Sequence, residues 1–327
     1  MSTVENKTAS SLAQRYASQI KGKVVLTTGV SPATLGAVFV QAIAKSQPAL
    51  LILAGRNAAK VQETAKALEA ENVKTRTLEL NLGSLKNVRA AAATVNGWDD
   101  VPCIDVLFNN AGVMAIEYGV SPEGYENHFA INHLGPFLFT NLIMDKVLAS
   151  AAPRIIMVSS DGHRLSPIRF DDVHFRDGET FNRWQAYGQS KTANILTALA
   201  LAEKLGSKHK LQAYSLTPGP WATPSHIGDH LDWSVQMPEM LKVDRFLGNW
   251  QGWLKDVPFS TPDEGVAVYV YAAFDPDIAG AHNGAYLFDC RPADPWKDTI
   301  KPWATSSVEA ERLWKLSEKL VGQEFQY

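Results

Sequence analysis

The chain contains 327 residues, of which 46% are hydrophobic and 20% are charged. This composition is typical of a globular protein and excludes a largely disordered chain. The 31 basic and 34 acidic residues give a net charge of -3, and no basic run stands out, so no nucleic-acid partner is predicted. The two cysteines, Cys103 and Cys290, form neither a CxxC motif nor a disulfide framework, which fits a reducing compartment.

The hydrophobic runs in the chain are short. The first 20 residues lack the apolar run of a signal peptide, and nowhere do about 18 consecutive apolar residues suggest a membrane span. We therefore expect no membrane span and a cytoplasmic location.

From Lys23 onward, short β-branched runs alternate with longer amphipathic segments, as in repeated βα units on a parallel sheet. The predicted strands are residues 24–29, 49–55, 75–80, 104–112, 154–160, 211–219 and 284–290. The predicted helices are residues 36–45, 58–71, 84–95, 125–148, 187–205 and 262–274. The pattern predicts a single α/β domain with a doubly wound, seven-stranded parallel sheet and helices on both faces. In the C-terminal tail, a further helix is expected to dock with Leu313, Leu316 and Leu320 inward.

Two segments interrupt this rhythm, residues 161–186 and residues 224–261, and both are longer than ordinary βα loops. Long loops at strand ends commonly carry substrate contacts. The second segment suits either a lid over an apolar substrate or burial against the body or a subunit interface. Its large apolar side chains are Trp233, Met237, Met240, Trp250 and Trp253. The histidines of the two segments show no zinc spacing, so no metal is predicted. They are His163, His174 and His226.

The first predicted strand leads into a turn with a glycine at each end, before a helix begins. A pyrophosphate requires close approach of the backbone and free N–H groups at a helix N-terminus, and this position supplies both. The GxGxxG spacing is absent and Ala33 lies within the turn, so an ordinary βα turn is an equal alternative on this motif alone. The candidate ligands are Gly29, Ser31, Thr34, Leu35 and Gly36.

Two further strand ends carry candidate nucleotide contacts. The second strand ends before Arg56, without the acidic residue that binds a ribose 2′-hydroxyl in NAD-binding proteins. An arginine can instead bind a 2′-phosphate, which favours NADP, although it could also be simply solvated. The fourth strand ends in Asn110, Ala111 and Gly112, whose small side chains would let a nucleotide approach, or which could form a turn.

Tyr187 and Lys191 are four residues apart on a predicted helix, so both side chains project from one face. A phenol has a pKa near ~10, and a nearby cation would favour the phenolate for acid–base catalysis. The spacing occurs by chance on many helices. Its companions are Ser159-Ser160 at the end of the fifth strand, where a hydroxyl can bind a substrate oxygen, and Asn132 on the preceding helix.

These motifs, in this order, resemble the short-chain dehydrogenase/reductase family from about Gly22 to Cys290. They are NNAG at 109–112, YGQSK at 187–191 and PGPWAT at 218–223. The resemblance implies a Rossmann fold, with Tyr187 as general acid/base, Lys191 as its pKa partner and a ribose ligand, and Ser160 as the group that polarises the substrate oxygen. It also implies that Asn132 holds a water in a proton relay. The further cofactor contacts that it implies are Asn81, Leu82, Pro218, Gly219 and Thr223.

The stretch from Ser159 to Lys191 is similar to the retinol-dehydrogenase-like and WW-domain-oxidoreductase-like branch of the family. That branch commonly uses NADP(H) and has an arginine that matches Arg56. The chain departs from the family pattern in two places. Its glycine turn, with Ala33 and Thr34, is one residue longer than the common form, and Asn81 stands where many relatives have an aspartate.

The sequence thus predicts an NADP(H)-dependent oxidoreductase that transfers a hydride to or from an apolar carbonyl compound or alcohol. We expect an N-terminal extension over residues 1–21, a dinucleotide-binding catalytic domain over residues 22–290 and a C-terminal extension over residues 291–327. A homo-oligomer is compatible with this prediction. Two alternatives are a nonredox epimerase or cyclase on the same fold and a noncatalytic nucleotide-binding scaffold.

Overall fold

The fold is given by a computed structural model, which describes residues 7–218, 227–249 and 260–327. Within these ranges, one eight-stranded sheet has the strand order 3-2-1-4-5-6-7-8. Strands 1 to 7 run parallel, and strand 8 is antiparallel to strand 7. The strands are β1 (Val24–Thr28), β2 (Leu50–Gly55), β3 (Thr75–Glu79), β4 (Val106–Asn109), β5 (Arg154–Val158), β6 (Gln212–Leu216), β7 (Tyr286–Phe288) and β8 (Arg291–Pro292).

The predicted doubly wound α/β architecture is confirmed, and the sheet has one strand more than the seven predicted, the antiparallel β8. All seven predicted strands are present, each shorter than the predicted range. β8 contains only two residues, so it carries no alternating pattern from which it could be predicted.

Helices cover both faces of the sheet. They are α1 (Ala9–Arg15), α2 (Ala17–Ile20), α3 (Leu35–Ala44), α4 (Ala58–Glu69), α5 (Leu85–Asn96), α6 (Asn127–Phe129), α7 (Gly135–Leu142), α8 (Met144–Leu148), α9 (Arg183–His209), α10 (Trp233–Phe246), α11 (Pro262–Gly265), α12 (Ala267–Phe274) and α13 (Ser307–Val321). Short 3-10 helices span Asp161–Leu165, Arg176–Gly178 and Pro302–Ala304. Neighbouring strand residues face opposite layers: Val25 packs in the core with α3 and α12, whereas Leu26 packs in the core with α5, α7 and α9.

Polar side chains cap several of these helices at their first turn, which fixes where each helix begins. Thr34, Asn57 and Ser84 each accept a hydrogen bond from a backbone N–H in the first turn of α3, α4 and α5. All three caps follow a strand of the parallel sheet. The caps therefore set three helix N-termini at the carboxyl edge of the sheet.

The predicted helix over residues 125–148 is wrong as a single element. The chain forms α6, then a π-helix over Ala130–Leu134, then α7 and α8. The helix predicted over 187–205 is longer, Arg183–His209, because Asn182 caps its first turn. The helix predicted over 262–274 is interrupted between α11 and α12 at Val266.

The first and last helices of the described ranges pack on the body. Leu12 on α1 and Tyr16 just after it join the core beside α3 and α12, and α13 contributes Leu313 and Trp314 to the core on the opposite face. The predicted docking of the C-terminal helix is confirmed, with Leu313 buried and Leu316 and Leu320 partly buried. None of the helices in the described ranges has the length and apolar character needed to span a bilayer.

Candidate active site

The site lies at the carboxyl edge of the sheet, where the strand order reverses. β1 lies between β2 and β4, so the chain leaves β1 for one side of the sheet and later returns to the other side. In doubly wound sheets, a crevice for ligands opens at this point. The loops after β1, β4 and β5 meet there and carry most of the predicted site residues.

The glycine turn after β1 is built for close backbone approach. Gly29 has a φ of +74°, and Ala33 has a φ of +60°, which is rare for a residue with a side chain. A Cβ added to Gly36 would lie 2.5 Å from the backbone oxygen of Gly29. The Thr34 hydroxyl lies 2.7 Å from the Ser31 oxygen and 3.0 Å from the Gly29 oxygen, and it caps α3. The additional residue of this turn is thus held by Thr34, and the N-terminus of α3 faces the crevice.

The segment after β4 is tied to the glycine turn. The Asn110 amide donates hydrogen bonds to the Thr28 and Gly29 oxygens at 2.9 and 3.1 Å. The Thr28 hydroxyl oxygen accepts hydrogen bonds from the backbone N–H groups of Asn110 and Ala111, each at 3.0 Å. Tyr269 on α12 donates its hydroxyl hydrogen to the Asn110 side-chain oxygen at 3.1 Å. Asn110 therefore joins two loops of the predicted cofactor site.

Tyr187 and Lys191 lie one turn apart on α9, and both are buried, at 6% and 3% exposure. The Lys191 Nζ is 5.6 Å from the centre of the Tyr187 ring and donates to the Val158 oxygen at 3.2 Å. The Tyr187 hydroxyl hydrogen-bonds with the Ser160 side chain. The geometry thus brings the predicted acid/base, its lysine partner and the predicted serine together.

The protonation of this pair is governed by burial. Burial raises the pKa of Tyr187 to about 12. The hydrogen bond with Ser160 lowers this pKa, but by less than burial raises it. Burial lowers the pKa of Lys191 to about 8. Loss of hydration is therefore the largest influence on the pKa of Tyr187 here, and the expected lowering of this pKa by Lys191 and the cofactor's positive charge stays a prediction.

The two serines after β5 have different partners. Ser159 is buried and donates its hydroxyl to the Lys191 backbone oxygen at 2.7 Å. Ser160 accepts the Gly162 N–H at 3.0 Å and contacts the Tyr187 phenol. Ser160 is therefore the serine that faces the reacting groups.

Asn132 lies in the π-helix and is fully buried. Its amide oxygen accepts the Val113 N–H at 2.8 Å, and its amide nitrogen donates to the Val113 oxygen at 2.9 Å and to the Ser190 hydroxyl at 2.8 Å. A Cβ added to Gly112 would lie 2.9 Å from the Asn132 amide oxygen and 3.3 Å from the Lys191 Nζ. In this arrangement Asn132 holds the loop after β4 against α9; the water of the predicted relay stays a prediction.

The remaining predicted cofactor residues that the structure describes line the same edge. Arg56 is exposed beside the N-terminus of α4. Asn81 folds its side-chain oxygen back to the Gly83 N–H at 3.1 Å, and Leu82 is buried. Pro218 follows β6 at this edge, whereas Gly219 and Thr223 lie outside the described residues, as do His226, Trp250 and Trp253.

The backbone geometry of the turn after β1 fits a bound dinucleotide. The turn leaves no room for a side chain at Gly36, it leads directly into the N-terminus of α3, and the cation of Arg56 lies at the next strand end. Among the described residues, no three His, Cys, Asp or Glu side chains are grouped as metal ligands. Two of the histidines in the long loops make hydrogen bonds within the protein. His163 hydrogen-bonds with the Ser160 backbone oxygen, and His174 accepts a hydrogen bond from the Glu126 backbone N–H.

Sequence reasoning missed Thr28, Ser190 and Tyr269, which support the site residues. Thr28 directly precedes the glycine turn and Ser190 lies within YGQSK, so their hydroxyls are the available signal. Tyr269 is 159 residues from Asn110, and nothing in the local sequence links the two.

Comparisons with known proteins agree with this geometry. The family model described as short chain dehydrogenase matches residues 23–170. Retinol dehydrogenase 14 of Mus musculus is 32% identical over 92% of this chain and 86% of its own length. Short-chain dehydrogenase/reductase prx1 of Penicillium rubens is 32% identical over the same shares.

Solved structures show the same fold. An uncharacterized protein from Mycobacterium paratuberculosis has a TM-score of 0.70 at 26% identity, covering 95% of this chain and 98% of its own. A short chain dehydrogenase from Salmonella enterica has a TM-score of 0.60 at 21% identity, covering 84% and 98%. With matched relatives along most of its length, this chain belongs to the short-chain dehydrogenase/reductase family and is retinol-dehydrogenase-like.

Proposed function

We propose that the protein is an NADP(H)-dependent oxidoreductase that interconverts apolar carbonyl compounds and alcohols. The observation that carries the proposal is the contact of Ser160 with buried Tyr187, one helical turn from buried Lys191, at the sheet edge where α3 begins. A phenol and a serine hydroxyl in contact can bind one substrate oxygen between them.

In the proposed reduction, the Tyr187 hydroxyl gives its proton to the substrate oxygen while Ser160 donates a hydrogen bond to that oxygen. When bound, a nicotinamide cofactor would supply the hydride to the carbonyl carbon. The C=O π bond is lost, C–H and O–H bonds form, and the product is an alcohol. Lys191 then stabilises the Tyr187 phenolate until it regains a proton. Oxidation of an alcohol is the reverse of these steps.

The proposed preference for NADP(H) is supported by Arg56 at the carboxyl end of β2, a position where NAD-binding proteins have an acidic residue that binds the ribose 2′-hydroxyl. The proposed apolar substrate is supported by the side chains around Tyr187, which include Ala115, Leu165 and Met240. Because several relatives are named retinol dehydrogenase, the first substrates to assay are long apolar primary alcohols and their aldehydes.

The direct test is turnover by the purified full chain with a panel of aldehydes, ketones and alcohols, followed through NADPH absorbance. Removing the acid/base hydroxyl by Tyr187→Phe should lower kcat by about 100-fold or more, with the Kd for NADPH unchanged. Tyr271→Phe on α12 is the matched control. Near wild-type turnover by Tyr187→Phe would show that the assigned acid/base is wrong.

The two alternative functions give different results in the same assay. An epimerase or cyclase would convert its substrate with no net change in NADPH. A noncatalytic scaffold would bind NADPH and turn over no member of the panel. Among the described residues, the Asn132, Ser160, Tyr187 and Lys191 set supports catalysis over a scaffold.

The cytoplasmic location, the homo-oligomer and the division into extensions and a catalytic domain also stay predictions. Fractionation of expressing cells tests the location, and light scattering of the purified protein tests the oligomer.

A further inference from the structure

Two opposite charges are buried together next to the site. Arg164 lies in the 3-10 helix that follows Ser160, and Asp244 lies in the last turn of α10; they are 1% and 0% exposed. The Arg164 Nε donates to the Asp244 Oδ1 at 2.8 Å, and the Nη2 donates to the Oδ2 at 3.2 Å. Both oxygens of the carboxylate are therefore bound by one guanidinium.

Asn249 also takes part in this network. The Asn249 amide nitrogen donates to the Asp244 Oδ1 at 2.8 Å and to the Arg164 backbone oxygen at 3.0 Å. Asp161 adds a second carboxylate 3.7 Å from the Arg164 Nη1. The network thus joins the segment after the catalytic strand to α10 and to the residues just beyond it.

A hydrogen bond from the Trp184 Nε1 to the Gln236 Oε1 at 3.2 Å also links α9 to α10, and apolar side chains pack beside it. Met240 and Val243 on α10 pack in one cluster with Leu165, Trp184 and Tyr187. Apolar contacts are non-directional, so on their own they would let α10 slide or rotate by a fraction of a turn against its neighbours. The bidentate ion pair is directional, and it lies one residue from Leu165 and from Val243.

A buried ion pair contributes little net stability, because the loss of hydration offsets the attraction between the charges. It can instead select one geometry over others. We propose that Arg164 and Asp244 form a positioning pair that fixes α10 over Tyr187 and so determines how tightly long apolar substrates bind. This inference rests on the proposed oxidoreductase function, and neither residue is assigned to the chemical step.

The experiment compares Arg164→Met, Asp244→Leu and the double variant, assayed with short and long apolar aldehydes. The double variant removes both charges together, so it should fold and keep its Kd for NADPH and its kcat for a short aldehyde within about threefold. The KM for a long aldehyde should rise by about tenfold or more. Each single variant removes only one of the two buried charges and should be worse than the double variant.

Amide hydrogen exchange gives a second readout that does not require turnover. Exchange in α10 should be faster in the double variant, while exchange in α13 should not change. The matched control removes Lys204 and Glu311, an ion pair that joins α9 to α13, by Lys204→Met/Glu311→Leu. This control should change neither the KM for the long aldehyde nor exchange in α10.

Equal changes in KM for short and long aldehydes, or unchanged α10 exchange in the double variant, would overturn the positioning role. If the wild-type protein turns over no carbonyl compound, the proposed function fails, and the exchange of α10 still decides whether the pair fixes this helix.

Discussion

The ammonium of Lys191 lies in surroundings that do not favour its charge. Burial lowers its pKa from 10.5 to about 8. Below pH 8 both the folded and unfolded chains carry the proton, so the cost of burying the charge, as much as about 3 kcal/mol, is fully present at pH 7. Between pH 8 and 10.5 the unfolded chain binds more protons than the folded one, so stability rises with pH and this cost is lost.

Lys191→Met should therefore stabilise the cofactor-free protein at pH 7 while abolishing turnover. The gain should shrink as the pH rises from 8 to 10.5. Thermal or urea unfolding across this pH range measures it, with Lys208→Met, an exposed lysine on the same helix, as the control. A gain that does not vary with pH would contradict the assignment of the cost to the buried ammonium.

Arg56 is exposed and is proposed to contact only the 2′-phosphate. Arg56→Ala should weaken NADPH binding by about tenfold or more and leave NADH binding nearly unchanged, because a charge-assisted bidentate contact is lost only for the phosphorylated cofactor. Titration with both cofactors measures the two Kd values. Lys60→Ala, which removes an exposed cation in the first turn of α4, is the control, and equal losses for NADPH and NADH would exclude the phosphate contact.

At the level of single residues, the sequence predicted Tyr187, Lys191, Ser160 and Asn132 because these groups follow recognisable strand ends and helical spacing. Their protonation could not be predicted, since burial decides the pKa of Tyr187 and Lys191, and burial depends on the whole fold. The Arg164–Asp244 pair could not be predicted either, because 80 residues separate its members.

At the level of elements, the loop after β4 has no spare volume beside the catalytic groups. Gly112→Ala would put a Cβ 2.9 Å from the Asn132 amide oxygen and 3.3 Å from the Lys191 Nζ. We expect kcat to fall by about tenfold or more, because small displacements of catalytic groups are costly. The control is Gly97→Ala at the end of α5, where the nearest neighbour would be 3.4 Å away. Steady-state kinetics measure both, and unchanged kcat in Gly112→Ala would show that Asn132 and Lys191 can shift freely.

The elements themselves were predictable where pattern and caps agree. The parallel strands and α3, α4 and α5 follow from apolar runs and from the polar caps Thr34, Asn57 and Ser84. The break in the segment 125–148 had a local signal, since Gly135-Pro136 stands where α7 begins and a proline interrupts a helix. The π-helix before it, which places Asn132 against Val113 and Ser190, has no such signal in the apolar pattern. Such a bulge is commonly found at functional sites.

At the level of the whole molecule, α13 covers the helices that carry the site. His133, next to Asn132, makes a 2.6 Å hydrogen bond to Ser317 on α13, and burial lowers the pKa of His133 to about 3, so it is neutral. Tyr125 donates to the Leu320 oxygen at 2.5 Å, and Arg89 donates to the Gln323 side chain at 2.6 Å. The C-terminal segment therefore belongs to the same packed body as the catalytic residues.

Trp314 anchors this helix, with 2% of its surface exposed and its ring edge-on to Phe137 at 4.9 Å. Trp314→Ala should lower the free energy of unfolding by about 3–5 kcal/mol, because it removes a large buried side chain and leaves a cavity. Trp296→Ala offers a matched control, since Trp296 is 94% exposed in the same C-terminal segment, and its loss should change stability by less than about 0.5 kcal/mol. Urea unfolding measures both values. Similar stability of the two variants would mean that α13 is not held through this tryptophan and that the C-terminal segment contributes little to the fold around Tyr187.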